Sequence, residues 1–166
     1  GRNAPKYATD TDEDRFRRGI YVVYRRSAPY PSFVNFDAPD RGACVVKRSR
    51  TNTPLQALTL LNDPAYVEMA HALAKRLITD QLELSSQTKI ERGFRLTLAR
   101  AAESHEVEIL LNFFDNERER FQRNSKLAEE VVPASERLKD TPIADQAAWF
   151  EVANILLNLD ETITKN

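Results

Sequence analysis

The chain is poor in cysteine, methionine, tryptophan and glycine, with one, one, one and four copies. Its single cysteine, Cys44, excludes an internal disulfide and any metal site built from several cysteines. Because its neighbours are apolar, we expect Cys44 to be a small buried hydrophobe. The haem-attachment pattern CxxCH is absent, and neither His71 nor His105 has a second histidine four residues away, as a helical zinc site requires. We therefore predict that this chain binds no metal and no cofactor of its own.

Long apolar runs are also lacking. No stretch approaches the roughly 20 apolar residues that a membrane-spanning helix needs. The composition, with 42% hydrophobic and 30% charged residues, is typical of a globular protein. The polar start, GRNAPKYATDTDEDR, resembles neither a signal peptide nor a natural beginning, and we expect the chain to be a fragment of a larger multidomain protein.

Charge is unevenly distributed, although the net charge is only −1. Residues 1–50 contain 11 Lys and Arg against 6 Asp and Glu, whereas residues 51–166 contain 13 against 19. This asymmetry fits a cationic half that meets an acidic neighbour in the same protein, or a half that faces external anions. The overall negative charge and the absence of a known nucleic-acid-binding module argue against nucleic acid as a partner.

The first part of the chain has few helical signals. We predict a flexible lead-in over residues 1–13 and an irregular, β-containing cap over residues 14–52. Within this cap, Arg18–Arg26 is rich in β-branched and aromatic residues, and residues 43–48 could form a second strand that pairs with it. The proline-rich loop between them has room for one helical turn near Ser32–Phe36.

The rest, residues 53–166, carries helix starts and helical periodicity, and together with the cap forms one domain, residues 14–166. Gly93 lies inside a helical stripe, where it favours close packing against another helix. The last helix is apolar almost all round, which predicts a place at the centre of a bundle. The fold class is mainly α: a bundle of about five helices with a small irregular N-terminal part containing one short β-hairpin or strand pair. Helix starts are predicted at Thr53-Pro54, Asp63-Pro64, Ser104 and Thr141-Pro142.

Polar chemistry is concentrated just before the first helix. Cations there could hold phosphate, sulfate or carboxylate beside a helix N-terminus, or could pair internally with nearby carboxylates. Aspartates beside proline usually bind local backbone amides, although a carboxylate pair could also serve acid–base chemistry. The candidate anion or polar site comprises Lys47, Arg48, Arg50, Asn52 and Thr53, and the candidate acidic partners are Asp37, Asp40 and Asp63.

Three functions remain open for this segment, and no catalytic residue is identified, since nucleophile-elbow, P-loop and dinucleotide motifs are absent. A structural role predicts that Arg48 and Arg50 are internally paired and largely buried. A binding module for anions or polysaccharide predicts that both are exposed and unpaired. A hydrolase or redox enzyme predicts a concave pocket that contains Asp37 or Asp40.

The segment RSRTNTPLQALTLLND, the strand ending in Arg25-Arg26 and the FDAPD loop together resemble the C-terminal part of the family of domain of unknown function (DUF) 1553. The later AWFEVANILLNLDETI resembles that family's closing helix, so the resemblance spans roughly Asp14 to Thr162.

The resemblance implies a context and no reaction. Such proteins are abundant in planctomycetes, look exported, and have upstream a second domain of unknown function (1549) and often a cytochrome c-like domain. It therefore implies a location in the periplasm or outside the cell, with upstream domains of the same polypeptide as partners. We predict that the chain is a non-catalytic structural or interaction module at the C-terminal end of such a protein. Haem would lie only in a separate upstream domain, and polysaccharide is a further candidate partner.

Overall fold

The structure, a computed structural model, describes residues 17–25, 29–40, 42–47, 49–80 and 84–164. The chain divides into two compact units, Gly1–Thr51 and Asn52–Asn166. The predicted lead-in and Arg48 lie outside the described residues. The helices are α1 (Pro31–Asn35), α2 (Pro54–Asn62), α3 (Pro64–Thr79), α4 (Ser86–Leu98), α5 (Ser104–Arg123), α6 (Ser125–Val131), α7 (Ile143–Asn158) and α8 (Asp160–Ile163), with 3₁₀ turns at Gly19–Tyr21 and Ala134–Glu136.

In the first unit, the predicted strand pair is wrong for the residues that the structure describes. Gly19–Tyr21 forms a 3₁₀ turn, in which the amides of Tyr21 and Val22 donate to the carbonyls of Arg18 and Gly19. The residues of the predicted second strand that are described, 43–47, are irregular and exposed. β-Branched residues favour extended backbone, but a strand also needs a pairing partner, and the sequence pattern could not show that partner to be missing.

The predicted helical turn near Ser32–Phe36 is confirmed as α1. Phe33 on this helix stacks on Tyr24 with ring centroids 6.0 Å apart and meets Tyr30 edge-on at 5.5 Å. A Cβ on Gly19 would lie 2.7 Å from Cε1 of Phe33, so glycine permits this close approach. Phe33 is thus the centre of a small aromatic cluster, and the other apolar side chains described in this unit, such as Val23, are mostly exposed.

The second unit is built around α7. Ten of its sixteen residues are buried, and it packs against α2, α3, α4, α5, α6 and α8. Trp149 on α7 stacks obliquely on Phe114 of α5 with ring centroids 4.6 Å apart. The prediction that this helix lies at the centre is confirmed: an apolar sequence on every side of a helix needs neighbours on every side.

The five predicted longer helices are present, and three short helices, α1, α6 and α8, add to them in the described residues. Two of the predicted helix starts differ in detail. The N-cap of α5 is Glu103 and not Ser104, and Glu106 in its first turn accepts a hydrogen bond from the Glu103 amide at 2.7 Å. Thr141 provides no side-chain cap for α7, since Pro142 precedes its first residue.

Gly93 sits at the contact between α4 and α7, as its position in the helical stripe predicted. A Cβ at this position would lie 2.6 Å from Cδ1 of the fully buried Leu156 and 3.7 Å from Leu77. Replacing Gly93 with alanine should therefore lower the free energy of unfolding by about 1 kcal/mol, because an overpacking cost of about 1–3 kcal/mol exceeds the helix-propensity gain of about 1 kcal/mol. Urea denaturation measures this change.

The matched control for this prediction is Leu156→Val in the Gly93→Ala background. The shorter side chain removes the methyl group that the new Cβ meets, so the double variant should lose less stability than the two single losses added together. Additive losses would show that Gly93 and Leu156 do not compete for the same space.

His71 is a buried histidine in the contact between α3 and α7. Its side chain is 6% exposed and its ring stacks on Phe150 with centroids 4.0 Å apart. Burial lowers the pKa of His71 below its ordinary value of 6.5, Glu136 opposes this shift, and Lys75 adds to it. The imidazole is therefore a neutral core group at physiological pH.

The protonation of His71 on unfolding should make the unfolding free energy depend on pH. Because the folded pKa lies below the unfolded value, the unfolded state takes up the proton first as the pH falls, so stability is full above about pH 6.5 and decreases below it. We expect His71→Leu to reduce the difference in unfolding free energy between about pH 7.5 and about pH 5. An unchanged difference in His71→Leu would show that the buried imidazole does not cause the loss of stability.

Candidate functional site

Asp37 ends α1 and holds the segment that leads out of the first unit. Its backbone is left-handed, with φ of 57°, and the Ala38 and Asp37 amides donate to the carbonyls of Phe33 and Val34. This pattern is a Schellman motif, in which Asn and Asp tolerate the left-handed position. The carboxylate then accepts from the Thr51 amide at 2.7 Å and from the Thr51 hydroxyl at 2.8 Å.

Asp40 also binds the local backbone. Its Oδ1 accepts from the Gly42 amide at 2.8 Å, two residues along the chain, which is the Asx-turn role predicted for aspartate in a proline loop. Lys47 is exposed. Arg50 is exposed too, and it makes at least one hydrogen-bond, ring or electrostatic contact, so the burial expected from a structural role is wrong for this residue.

In the second unit, Thr53 begins α2 with the predicted capping box. The Gln56 amide donates to the Thr53 hydroxyl at 3.3 Å, and Gln56 Oε1 accepts from the Thr53 amide at 2.9 Å. Gln56 is 1% exposed. Asn52, one residue earlier, donates from Nδ2 to Asp160 Oδ1 at 2.7 Å and so ties the start of α2 to the start of α8.

Asp63 separates α2 from α3 and caps the second of these helices. Its Oδ1 accepts from the Ala65 amide at 2.9 Å, and Pro64 occupies the first helical position. The predicted cap is confirmed, and the carboxylate is engaged with the helix N-terminus. Its role here is local structure.

A charged network that was not predicted from the sequence joins Arg100, in the connection between α4 and α5, to α5 and α8. The Arg100 guanidinium binds Glu106 with two bonds of 2.8 and 2.7 Å and Glu161 with two bonds of 2.8 and 3.0 Å. It also lies over the Phe94 ring, 5.2 Å from the centroid. The hydrogen bonds that Glu106 accepts, first from Arg100 and then from the Glu103 amide, lower its pKa to about 2. Glu106 is only 6 residues from Arg100 in the sequence, so a local pattern could have indicated this pair. Glu161 is 61 residues away, and no local pattern indicates it.

Two further ionisable groups are partly removed from water. Lys89 is 9% exposed and its Nζ donates to the Ile78 carbonyl at 3.3 Å, where it binds an end carbonyl of α3. Burial lowers the pKa of Lys89, while Asp145 opposes this shift. Burial also raises the pKa of Asp145. The Lys89 bond to a backbone carbonyl identifies it as a structural staple between α3 and α4.

Two shallow grooves lie along α4. One, of about 430 Å³, is lined by Thr88, Arg92 and Leu96 among others, and the second, of about 300 Å³, lies towards the start of α5. Neither groove is lined by a residue of the predicted anion site or by its predicted acidic partners. Two cations line the first groove: Arg92 is bound to Asp80 at 2.5 Å, and Arg95 is exposed.

The remaining reactive side chains form no cluster in the described part of the chain. Within residues 17–25, 29–40, 42–47, 49–80 and 84–164, no group of three or more His, Cys, Asp or Glu is placed to hold a metal ion. Cys44 is exposed, so the expected role of a small buried hydrophobe is wrong. Over the same described ranges, the helices are too short or too polar to cross a bilayer.

Comparison with known proteins gives a family. No curated protein and no solved structure matches the chain. Residues 2–114 match the model of PSD1, described as a protein of unknown function (DUF1553), which covers the irregular first unit and α2 to α4 and most of α5. This match contains the RSRTNTPLQALTLLND segment on which the resemblance rested. The chain belongs to the DUF1553 family.

Proposed function

We propose that the chain is a non-catalytic structural and interaction module of a larger, planctomycete-type exported protein. The observation that carries this proposal is the use of the candidate side chains. Each of the five candidates with an assigned hydrogen bond holds the chain itself: the described partners are Thr51 for Asp37, Gly42 for Asp40, Asp160 for Asn52, Gln56 for Thr53 and Ala65 for Asp63.

A catalytic site makes different demands. A general acid or base must have an oxygen within reach of substrate and a cleft that shields it. Asp37 already accepts two hydrogen bonds on one oxygen, and Asp40 is an exposed loop residue. Both arrangements support local structure better than they support acid–base chemistry.

The location and the neighbours in the full-length protein follow from the family resemblance alone. A periplasmic or extracellular module would have upstream domains of the same polypeptide as its partners, with a cytochrome c-like domain among them. Any haem would belong to that upstream domain. Expression of the full-length protein with fractionation of the cell compartments tests the location, and haem staining of the same material tests the redox partner.

A second candidate function is binding of anionic polysaccharide. Lys47 and Arg50 are exposed, and they lie in a stretch, residues 1–50, whose 11 cationic and 6 acidic residues give a net charge of +5. Guanidinium and ammonium groups in such a stretch can bind sulfate or carboxylate. This observation supports the candidate through charge and exposure.

One experiment separates the two functions. The melting temperatures of the wild type and of the double variant Lys47→Ala/Arg50→Ala are measured alone and with a sulfated or a carboxylated polysaccharide. The structural module predicts no saturable rise with either polymer, whereas a binding module predicts a rise that the double variant loses, because ligand that binds the folded state raises stability. The matched control is Arg123→Ala, an exposed cation on α5.

A further inference from the structure

Helix α8 is held on the bundle mainly by polar side chains. None of its four residues is buried, and Ile163, its one apolar residue, is half-buried. Its first two residues are carboxylates with partners far away in the sequence. Asp160 accepts a hydrogen bond from Asn52 at 2.7 Å. Glu161 accepts two from Arg100, at 2.8 and 3.0 Å. The position of α8 therefore depends on these carboxylates more than on apolar burial.

The two carboxylates connect separate parts of the bundle through one short helix. Asn52 lies before the N-cap of α2, and Arg100 lies in the connection between α4 and α5. Leu159 separates α8 from α7 with an extended backbone, ψ of 141°, so the helix axis is interrupted there. Because Asp160 and Glu161 are adjacent, a movement of α8 about Leu159 breaks the bonds of both.

The bonds of α8 are open to water. The side chain of Glu161 is 55% exposed, that of Arg100 is 32% exposed, and the bond between Asn52 and Asp160 is exposed as well. Salt screens exposed charge pairs, so these bonds are weakly held. Arg100 also keeps two bonds to Glu106 when Glu161 leaves, so its guanidinium is not left unpaired. Detachment of α8 is therefore possible without unfolding the bundle.

We propose that α8 is a releasable strap, which holds the start of α2 and the α4–α5 connection at the same time and releases both together. The proposal rests on the proposed function and deepens it, because Asn52 belongs to the candidate polar site and the strap regulates how firmly that site is held. Coupling of this kind is reciprocal, so loss of either bond weakens the other.

NMR of side-chain N–H groups tests the strap. The Nε–H of Arg100 donates to Glu161, whereas its terminal nitrogens also bind Glu106, so exchange of the Nε proton reports on α8. Asp160→Ala removes the bond to Asn52 and leaves the Arg100 bonds in place. In this variant we expect the proton to exchange at least about threefold faster than in the wild type. Asn52→Ala should have the same effect, which separates the lost bond from any direct effect of residue 160 on α8.

The matched control is Glu119→Gln, which removes an exposed ion pair on α5 and should leave the Arg100 proton unchanged. The Nε–H of Arg137 donates to the Val132 carbonyl at 3.1 Å and serves as the reference in each spectrum. Equal exchange of the Arg100 proton in Asp160→Ala and in the wild type overturns the proposal, because the two bonds would then be independent.

A salt titration of the wild type tests the same strap without a substitution. Raising NaCl from about 0.05 M to about 0.5 M should speed exchange of the Arg100 proton relative to that of Arg137, and should shift the side-chain amide signals of Asn52 in parallel. A change in one signal without the other, or no change in either, overturns the proposal. None of these results alters the polysaccharide test of the proposed function, so the two can fail separately.

Discussion

Replacing Gln146 with leucine is expected to lower the free energy of unfolding by about 3 kcal/mol. Gln146 on α7 is 5% exposed and holds the connection that precedes this helix with three hydrogen bonds. Its Oε1 accepts from the Leu138 amide at 2.8 Å, and its Nε2 donates to the carbonyls of Leu138 and Thr141 at 2.9 and 2.6 Å. Leucine fills a similar volume but leaves three backbone groups, which are only partly open to water, without these partners.

The matched control is Gln87→Leu on α4, an exposed glutamine that binds Glu91 one helical turn away. Its replacement should change stability by less than about 0.5 kcal/mol. Urea denaturation of both variants with unchanged m-values measures the difference. Equal effects of the two substitutions would show that the Gln146 bonds do not hold the connection.

Replacing Arg100 with methionine is expected to lower the melting temperature more than removal of any single surface ion pair. Arg100 bridges Glu106 and Glu161 and lies over Phe94, so methionine keeps some packing and removes both pairs at once. Bidentate pairs in a network stabilise more than isolated exposed pairs. Arg123→Met, which breaks the exposed pair with Glu119, is the control and should have little effect.

The same network should make the stability of the protein decrease in acid. The pKa of Glu106 is lowered from 4.5 to about 2 in the folded protein, mainly by the Arg100 bond. Its contribution to stability is therefore full above about pH 4.5 and is lost as the pH falls from there towards about pH 2. In Arg100→Met the loss of melting temperature over this window should be shallower than in the wild type. An unchanged slope would show that Glu106 is held by other groups.

The helix starts of α2 and α3 could be predicted because their determinants are local. Thr53-Pro54 with Gln56, and Asp63-Pro64, place a side-chain acceptor, a fixed φ and a hydrogen-bonding partner within four residues. The close packing of Gly93 against another helix could also be predicted locally, because the apolar stripe of its helix shows which face is buried. The central position of α7 followed from its composition.

The predictions that were wrong or missing concern features that depend on residues distant in sequence. The predicted strand at Arg18–Arg26 had the right propensity, but propensity does not provide a second strand. Cys44 was expected to be buried because its neighbours are apolar, whereas that segment is exposed. Glu161 is chosen as a partner of Arg100 by the packing of α4 and α8, which no local pattern contains.

The sequence indicated a set of candidate site residues, but it did not decide what these residues do. Charge and proline around RSRTNTPLQALTLLND indicated either internal ties or an external anion. The structure assigns the carboxylates and the caps to internal bonds, and it leaves Lys47 and Arg50 exposed. The burial of each side chain decides between internal bonding and binding of an external anion. The sequence could not show this burial, because the segment is polar for both roles.

Amide hydrogen exchange at Thr51 tests the central claim, that these polar residues hold the chain itself. The Thr51 amide donates to Asp37 at 2.7 Å, so we predict slowed exchange in the wild type and exchange at least about tenfold faster in Asp37→Gly. Glycine suits the left-handed backbone at residue 37, and the variant therefore removes the carboxylate without adding strain. Exchange of Thr51 at the unprotected rate in the wild type, or at the same rate in both proteins, would contradict the account.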